Sequence, residues 1–188
     1  AEHDPDLVFE PKHISRDFLI YNRAWTGTRE YRLKFAEMVL NNNLLNNCSM
    51  RFSPIDEGHP YKGHHYSTYK FTNPAFAIST QLENYFEENT ANSNSSADYE
   101  SIDYKISGIE VVLETLFDDQ RIHLTEKSLR PIACGKPFIL AATVGSLEYL
   151  RSYGFKTFGD LWDESYDKIK DPVCRLEAIV ELMQFIFS

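Results

Sequence analysis

Residues 109–142 constrain the fold more tightly than any other part of the chain. Ile109, Val111, Val112 and Leu113 make a short apolar run, with Glu114 and Thr115 at its end, as a buried strand requires. Thr125 then stands where a helix N-cap belongs, and Glu126 falls in the first turn, where its charge suits the helix dipole. That helix ends near Cys134, Gly135 supplies the left-handed residue after it, and Pro131 kinks or shortens it. A second apolar run follows over residues 137–142. A strand, a helix and a strand in this succession pair the two strands in parallel.

The remainder extends the same alternation. Phe18, Leu19, Ile20 and Tyr21 read as a buried strand, and a helix over 28–42 is expected with Thr28 as its cap. Tyr31, Phe35, Met38 and Val39 share one face of that helix. Residues 48–52 suit a further strand. After Pro137 a helix is expected from Ser146 to Tyr153, a short strand over 155–158, and a last helix from Pro172 onward. Val173, Leu176, Ile179, Val180, Leu182, Met183 and Phe185 nearly encircle that helix, which implies packing across another element. Trp162 is expected to dock on the core. Between these parts, residues 54–106 read as an irregular insertion, with a weak helix over 76–88 and a polar, mobile loop over 89–98. Residues 1–16 read as a tail or linker, and 17–188 as one domain. The expected architecture is an α/β fold: a Rossmann-like parallel sheet with helices on both faces. Ligands on such sheets bind at the carboxyl ends of the strands, where the strand order reverses.

Composition narrows the function. A chain of 188 residues, 43% hydrophobic and 14% aromatic, can bury a core without staples. A net charge of −9 argues against nucleic acid as the partner, since phosphate neutralisation needs a basic surface. No apolar run reaches the roughly 20 residues of a membrane span, and no signal peptide is visible, so a cytoplasmic protein is expected. Cys48, Cys134 and Cys174 show no metal-type spacing and read as reduced thiols. The Asn47 and Asn94 glycosylation patterns are read as chance without a secretory signal.

Thr125, Glu126 and Lys127 carry the sharpest chemistry. A carboxylate accepts hydrogen bonds from both hydroxyls of a ribose, while an ammonium at a helix amino end favours a diphosphate. Together they suit a nucleotide-sugar; a capped helix with a solvated Glu-Lys pair is the plain alternative. His59, His64 and His65 lie within seven residues and read as a polar loop before a metal site, because no Cys or Asp stands at a recognised interval. His64 or His65 could serve as a base if that loop faces an acceptor. Asp118 and Asp119 read as a solvated loop. No phosphate-loop, zinc-protease or nucleophile-elbow motif is present.

Glu114-Thr115, Thr125-Glu126-Lys127 and Gly135-Lys136-Pro137-Phe138-Ile139, in this order and spacing, resemble the donor-binding half of two-domain, GT-B-type glycosyltransferases, above all the fucosyltransferases and their exostosin-like relatives. Residues 147–158 are also similar to the tails of uncharacterised phage and environmental proteins. The resemblance implies that Glu126 holds the donor ribose, Lys127 neutralises the diphosphate, Glu114 shapes the strand end, and an Arg after the first strand, Arg23 or Arg29, meets phosphate. It implies metal-independent binding of a nucleotide-sugar donor, with no cofactor and an unknown acceptor. Two departures matter. Thr115 stands where the family usually has Asn, and the chain accommodates only one of two domains, so a partner domain or homodimer is expected. No general base is identified. The alternative reading is a noncatalytic Rossmann-like interaction module; a sugar-phosphate hydrolase is a third.

Overall fold

The computed structural model describes residues 13–60, Tyr85 and residues 98–187. The expected helix over 76–88, the polar loop up to residue 97, and His64 and His65 lie outside the described residues, apart from Tyr85.

Among the described residues four parallel strands form the sheet: β1 (Arg16–Asn22), β2 (Cys48–Phe52), β5 (Ser107–Leu113) and β6 (Phe138–Ala141), in the order β2-β1-β5-β6. A two-stranded hairpin, β3 (Ile55–Asp56) with β4 (His59–Pro60), stands apart. The α-helices that lie wholly within the described residues are α1 (Tyr31–Asn41), α2 (Ser101–Ile106), α3 (Glu126–Ala133), α4 (Ser146–Ser152) and α5 (Pro172–Phe187). The fold is α/β and Rossmann-like. The chain leaves β1 through α1 to β2 on one side, and leaves β5 through α3 to β6 on the other. The strand order therefore reverses between β1 and β5.

Strand alternation sorts the side chains between the two faces. Phe18, Ile20, Val111 and Ile139 belong to one apolar cluster with Leu33, Phe35 and Val39 of α1 and Leu176, Ile179 and Met183 of α5. On the opposite face Leu19 aligns with Glu110, and Glu110 accepts hydrogen bonds from Tyr104 and Arg130. Asp103 of α2 closes the same face, accepting from the Tyr21 hydroxyl at 3.0 Å and from Arg51 at 2.8 and 3.0 Å. Lys136 is buried, with its ammonium on the carbonyls of Tyr104 and Ser107.

Both outer strands carry a tyrosine hydroxyl on their backbone. Met50 N donates to Tyr85, whose hydroxyl donates to the Cys48 carbonyl. Leu140 N donates to the buried Tyr166 hydroxyl at 3.1 Å.

Several expectations are corrected. Thr28 does not cap α1: a 3-10 turn at Gly27–Arg29 comes first, and Glu30 occupies the N-cap. The reason lies in Asp56, which takes the amides of Trp25 and Thr26 and holds this stretch out of the helix. Ser146 does not cap α4. Its hydroxyl donates to the Thr143 carbonyl, and the buried Asp167 receives the first-turn amides of Leu147 and Glu148. Residues 155–158 are not a strand: Glu164 ties Thr157 and Phe158, and Tyr166 already occupies the β6 edge. The insertion is less irregular than expected, since it holds the hairpin and α2. Phe185 is 69% exposed. Trp162 does dock, stacked on Phe158.

Candidate functional site

The reversal of strand order brings the ends of β1 and β5 side by side, and the resemblance-implied residues Arg23, Glu114, Thr125, Glu126 and Lys127 gather there. Asn22 ends β1, and Arg23 follows it; Leu113 ends β5, and Glu114 follows it. Ile20 aligns with Val111, so the two strand ends are in register.

Glu114 is fully buried, and its carboxylate is saturated. Oε1 accepts from Thr125 N at 2.9 Å and from the Ser128 hydroxyl; Oε2 accepts from the Thr125 hydroxyl at 2.8 Å and from Thr115 N at 3.2 Å. A carboxylate offers about four lone pairs, and all are used. Glu114 therefore fastens the first turn of α3 to the end of β5, so its role at this position is to seat the helix. Thr125 caps α3 as expected, accepting from Lys127 N at 3.3 Å.

Lys127 does not extend into solvent. Its ammonium donates to the Thr125 hydroxyl at 3.0 Å and to the Thr115 hydroxyl at 3.3 Å, with Glu126 at 3.6 Å and Glu114 at 3.9 Å. Burial lowers its pKa; Glu114 and Glu126 oppose the shift, and the like charge of Arg32 adds to it. Glu126, paired with Lys127, is the more exposed carboxylate of the group, its side chain 46% exposed.

Arg23 stays at the site, and Arg29 does not. Burial holds the Arg23 guanidinium below its ordinary value, with Asp98 and Glu126 opposing and Arg130 and Arg32 adding like charge. Arg29 turns to the hairpin, 3.1 Å from Glu57 and 3.8 Å from Asp56, so it serves the loop after β1.

Arg32 is the residue the sequence did not single out. It is 2% exposed, and its guanidinium bridges the two strand ends, donating to the carbonyls of Ala24, Leu113 and Glu114. Among the described residues no carboxylate lies within ion-pair distance of it, and its Nε has no hydrogen-bond partner. Neither has Oδ1 of the buried Asn22. Helical periodicity puts Arg32 beside the core residues Tyr31 and Phe35, and only the strand order shows that this position reaches the reversal point.

Around the site, the loop after Glu114 is anchored by Thr143 on the Leu116 carbonyl, by Arg175 on the Phe117 carbonyl, and by Tyr31 stacked on Phe117. Asp119 pairs locally with Arg121, in keeping with a solvated loop. Among the described residues no cluster of His, Cys, Asp and Glu could hold a metal ion, and no helix is long and apolar enough to cross a membrane. The described cysteines are free thiols. Comparisons with protein-family models, characterised proteins and solved structures find no match.

Proposed function

We propose that the ends of β1 and β5 bind the diphosphate of a nucleotide-sugar, and that the chain is the donor-binding domain of a glycosyltransferase. One observation carries this reading. Arg32, a buried cation, has no carboxylate partner among the described residues, and Arg23 and Lys127 crowd toward it in a chain of net charge −9. A buried charge without a counter-ion costs several kcal/mol, roughly, unless an anion completes the site. The unmet Nε of Arg32 and Oδ1 of Asn22 add polar atoms that a ligand or water would satisfy. Glu126, 46% exposed beside Lys127, would take the ribose hydroxyls. In transfer, these cations would offset the charge that develops on the departing diphosphate.

The test is calorimetric titration with GDP, UDP and their sugar conjugates. Wild type is expected to bind one nucleotide with micromolar affinity, and Arg32→Met, Lys127→Ala and Glu126→Ala are each expected to weaken binding about tenfold or more. Absence of binding by every nucleotide in a folded sample rejects the reading. It would favour a noncatalytic interaction module, for which Phe185 and Phe187, 69% and 52% exposed at the end of α5, are the best-placed surface.

A further inference from the structure

We propose that Thr115 is a positioning residue of the donor site: its hydroxyl, together with that of Thr125, holds the Lys127 ammonium at the end of β5. The inference rests on the donor-site reading above and adds a residue to it.

Glu114, the carboxylate just after β5, has its four lone pairs taken by Thr115 N, Thr125 N, the Thr125 hydroxyl and the Ser128 hydroxyl. It attracts Lys127 from 3.9 Å without bonding it. The Thr125 hydroxyl is filled as well, since it donates to Glu114 and accepts from both Lys127 N and Nζ. An ammonium has three donors. Thr115, at 3.3 Å, supplies the second neutral acceptor. Hydroxyls fix the direction of a cation without cancelling its charge, which suits a group that must face an anion. An apolar side chain at position 115 would take that acceptor away and leave Thr125 as the remaining hydroxyl on the ammonium.

The charged groups around Lys127 are Glu114 at the end of β5, Glu126 on its own helix and Arg32 on α1. Removing a neutral acceptor disfavours the ammonium, so its titration moves to lower pH, and the alkaline limb of nucleotide binding moves with it.

Thr115→Val and Thr115→Ser decide the matter, with two readouts. The first is the Lys127 side-chain titration in ligand-free protein, followed by lysine-selective NMR. The second is the affinity for GDP and UDP across the alkaline range. Thr115→Val is expected to lower the Lys127 titration and weaken nucleotide binding about tenfold, and Thr115→Ser to restore both to within about twofold of wild type. An unshifted titration in Thr115→Val overturns the positioning role, whatever the nucleotide does. A shifted titration in a protein whose wild type binds no nucleotide overturns the donor site and leaves the tie between Thr115 and Lys127 standing.

Discussion

On the α1 and α5 side of the sheet, Phe18, Ile20 and Val111 meet Phe35, Ile179 and Met183, all fully buried and all apolar. On the α2 and α3 side, Leu19 and Glu110 lie under Tyr104, Arg130 and Lys136, and a carboxylate, a phenol and two cations take up part of the apolar layer that Val112, Phe138 and Leu140 continue. The same four strands serve both. The first face is held by area removed from water, which tolerates any filling of the right volume. The second is held by matched partners, and its parts are worth little singly. Burial raises the pKa of the Glu110 carboxyl, and contact with Arg130 and Tyr104 opposes that rise. The matched face is also the one that carries α3, so the placement of Lys127 and Glu126 depends on geometry rather than on bulk.

The contrast can be broken most forcefully at Arg130. Arg130→Met leaves Glu110 buried without its cation and is expected to cost about 3–5 kcal/mol in chemical denaturation. Adding Glu110→Leu should recover most of that loss. A double variant no better than the single one would mean that the pair does not act as a unit. On the apolar face, Ile179→Ala is expected to cost about 2–5 kcal/mol through lost contacts and a cavity. There a second truncation nearby, Phe35→Leu, should add to the loss instead of relieving it.

A smaller effect sharpens the comparison from the loop after β1. Asp56 accepts from Trp25 N, Thr26 N and the Thr26 hydroxyl, each at 2.7 Å. Burial pushes its carboxyl up, but these bonds and the Arg29 charge overrule burial and hold it below the usual carboxylate range. A depressed carboxylate contributes stability above its unfolded value, about 4, and loses it as pH falls through the lower folded value. Asp56→Ala is therefore expected to cost about 2 kcal/mol at pH 7. Its urea midpoint should converge with that of wild type in acid. A gap that persists below pH 2 would assign the loss to packing.

The strand-helix-strand unit of β5, α3 and β6 was legible because its signals are local. Thr125 caps what it should cap, Gly135 adopts a φ of +60°, and β5 and β6 fall on the apolar runs that mark them. Harder to read were residues whose roles come from distant chain. Ser146 looks like a cap until Asp167, far along the sequence, takes the amides. Residues 155–158 look like a strand until a phenol fills the edge they would join. Glu110 has the spacing of a solvent-facing residue, and Tyr104 and Arg130, from the flanking helices, account for its burial. Arg29 and Arg32 differ by one helical turn, yet hairpin partners claim the first and the strand reversal claims the second. Thr115, which reads as a departure from the family pattern, lies within reach of Lys127 because α3 folds back on β5.

The two tyrosines on the outer strands have a consequence for self-association. An open strand edge invites a neighbouring chain to add its own strand, the step from which fibrous aggregates grow. At β2 the Tyr85 hydroxyl both accepts and donates along the backbone, as an incoming strand would, and at β6 Tyr166 takes the amide of Leu140. Each phenol imitates the next strand at the cost of one side chain and leaves an intruder less to bind. At these points hydroxyl stoppers close the sheet to further strands.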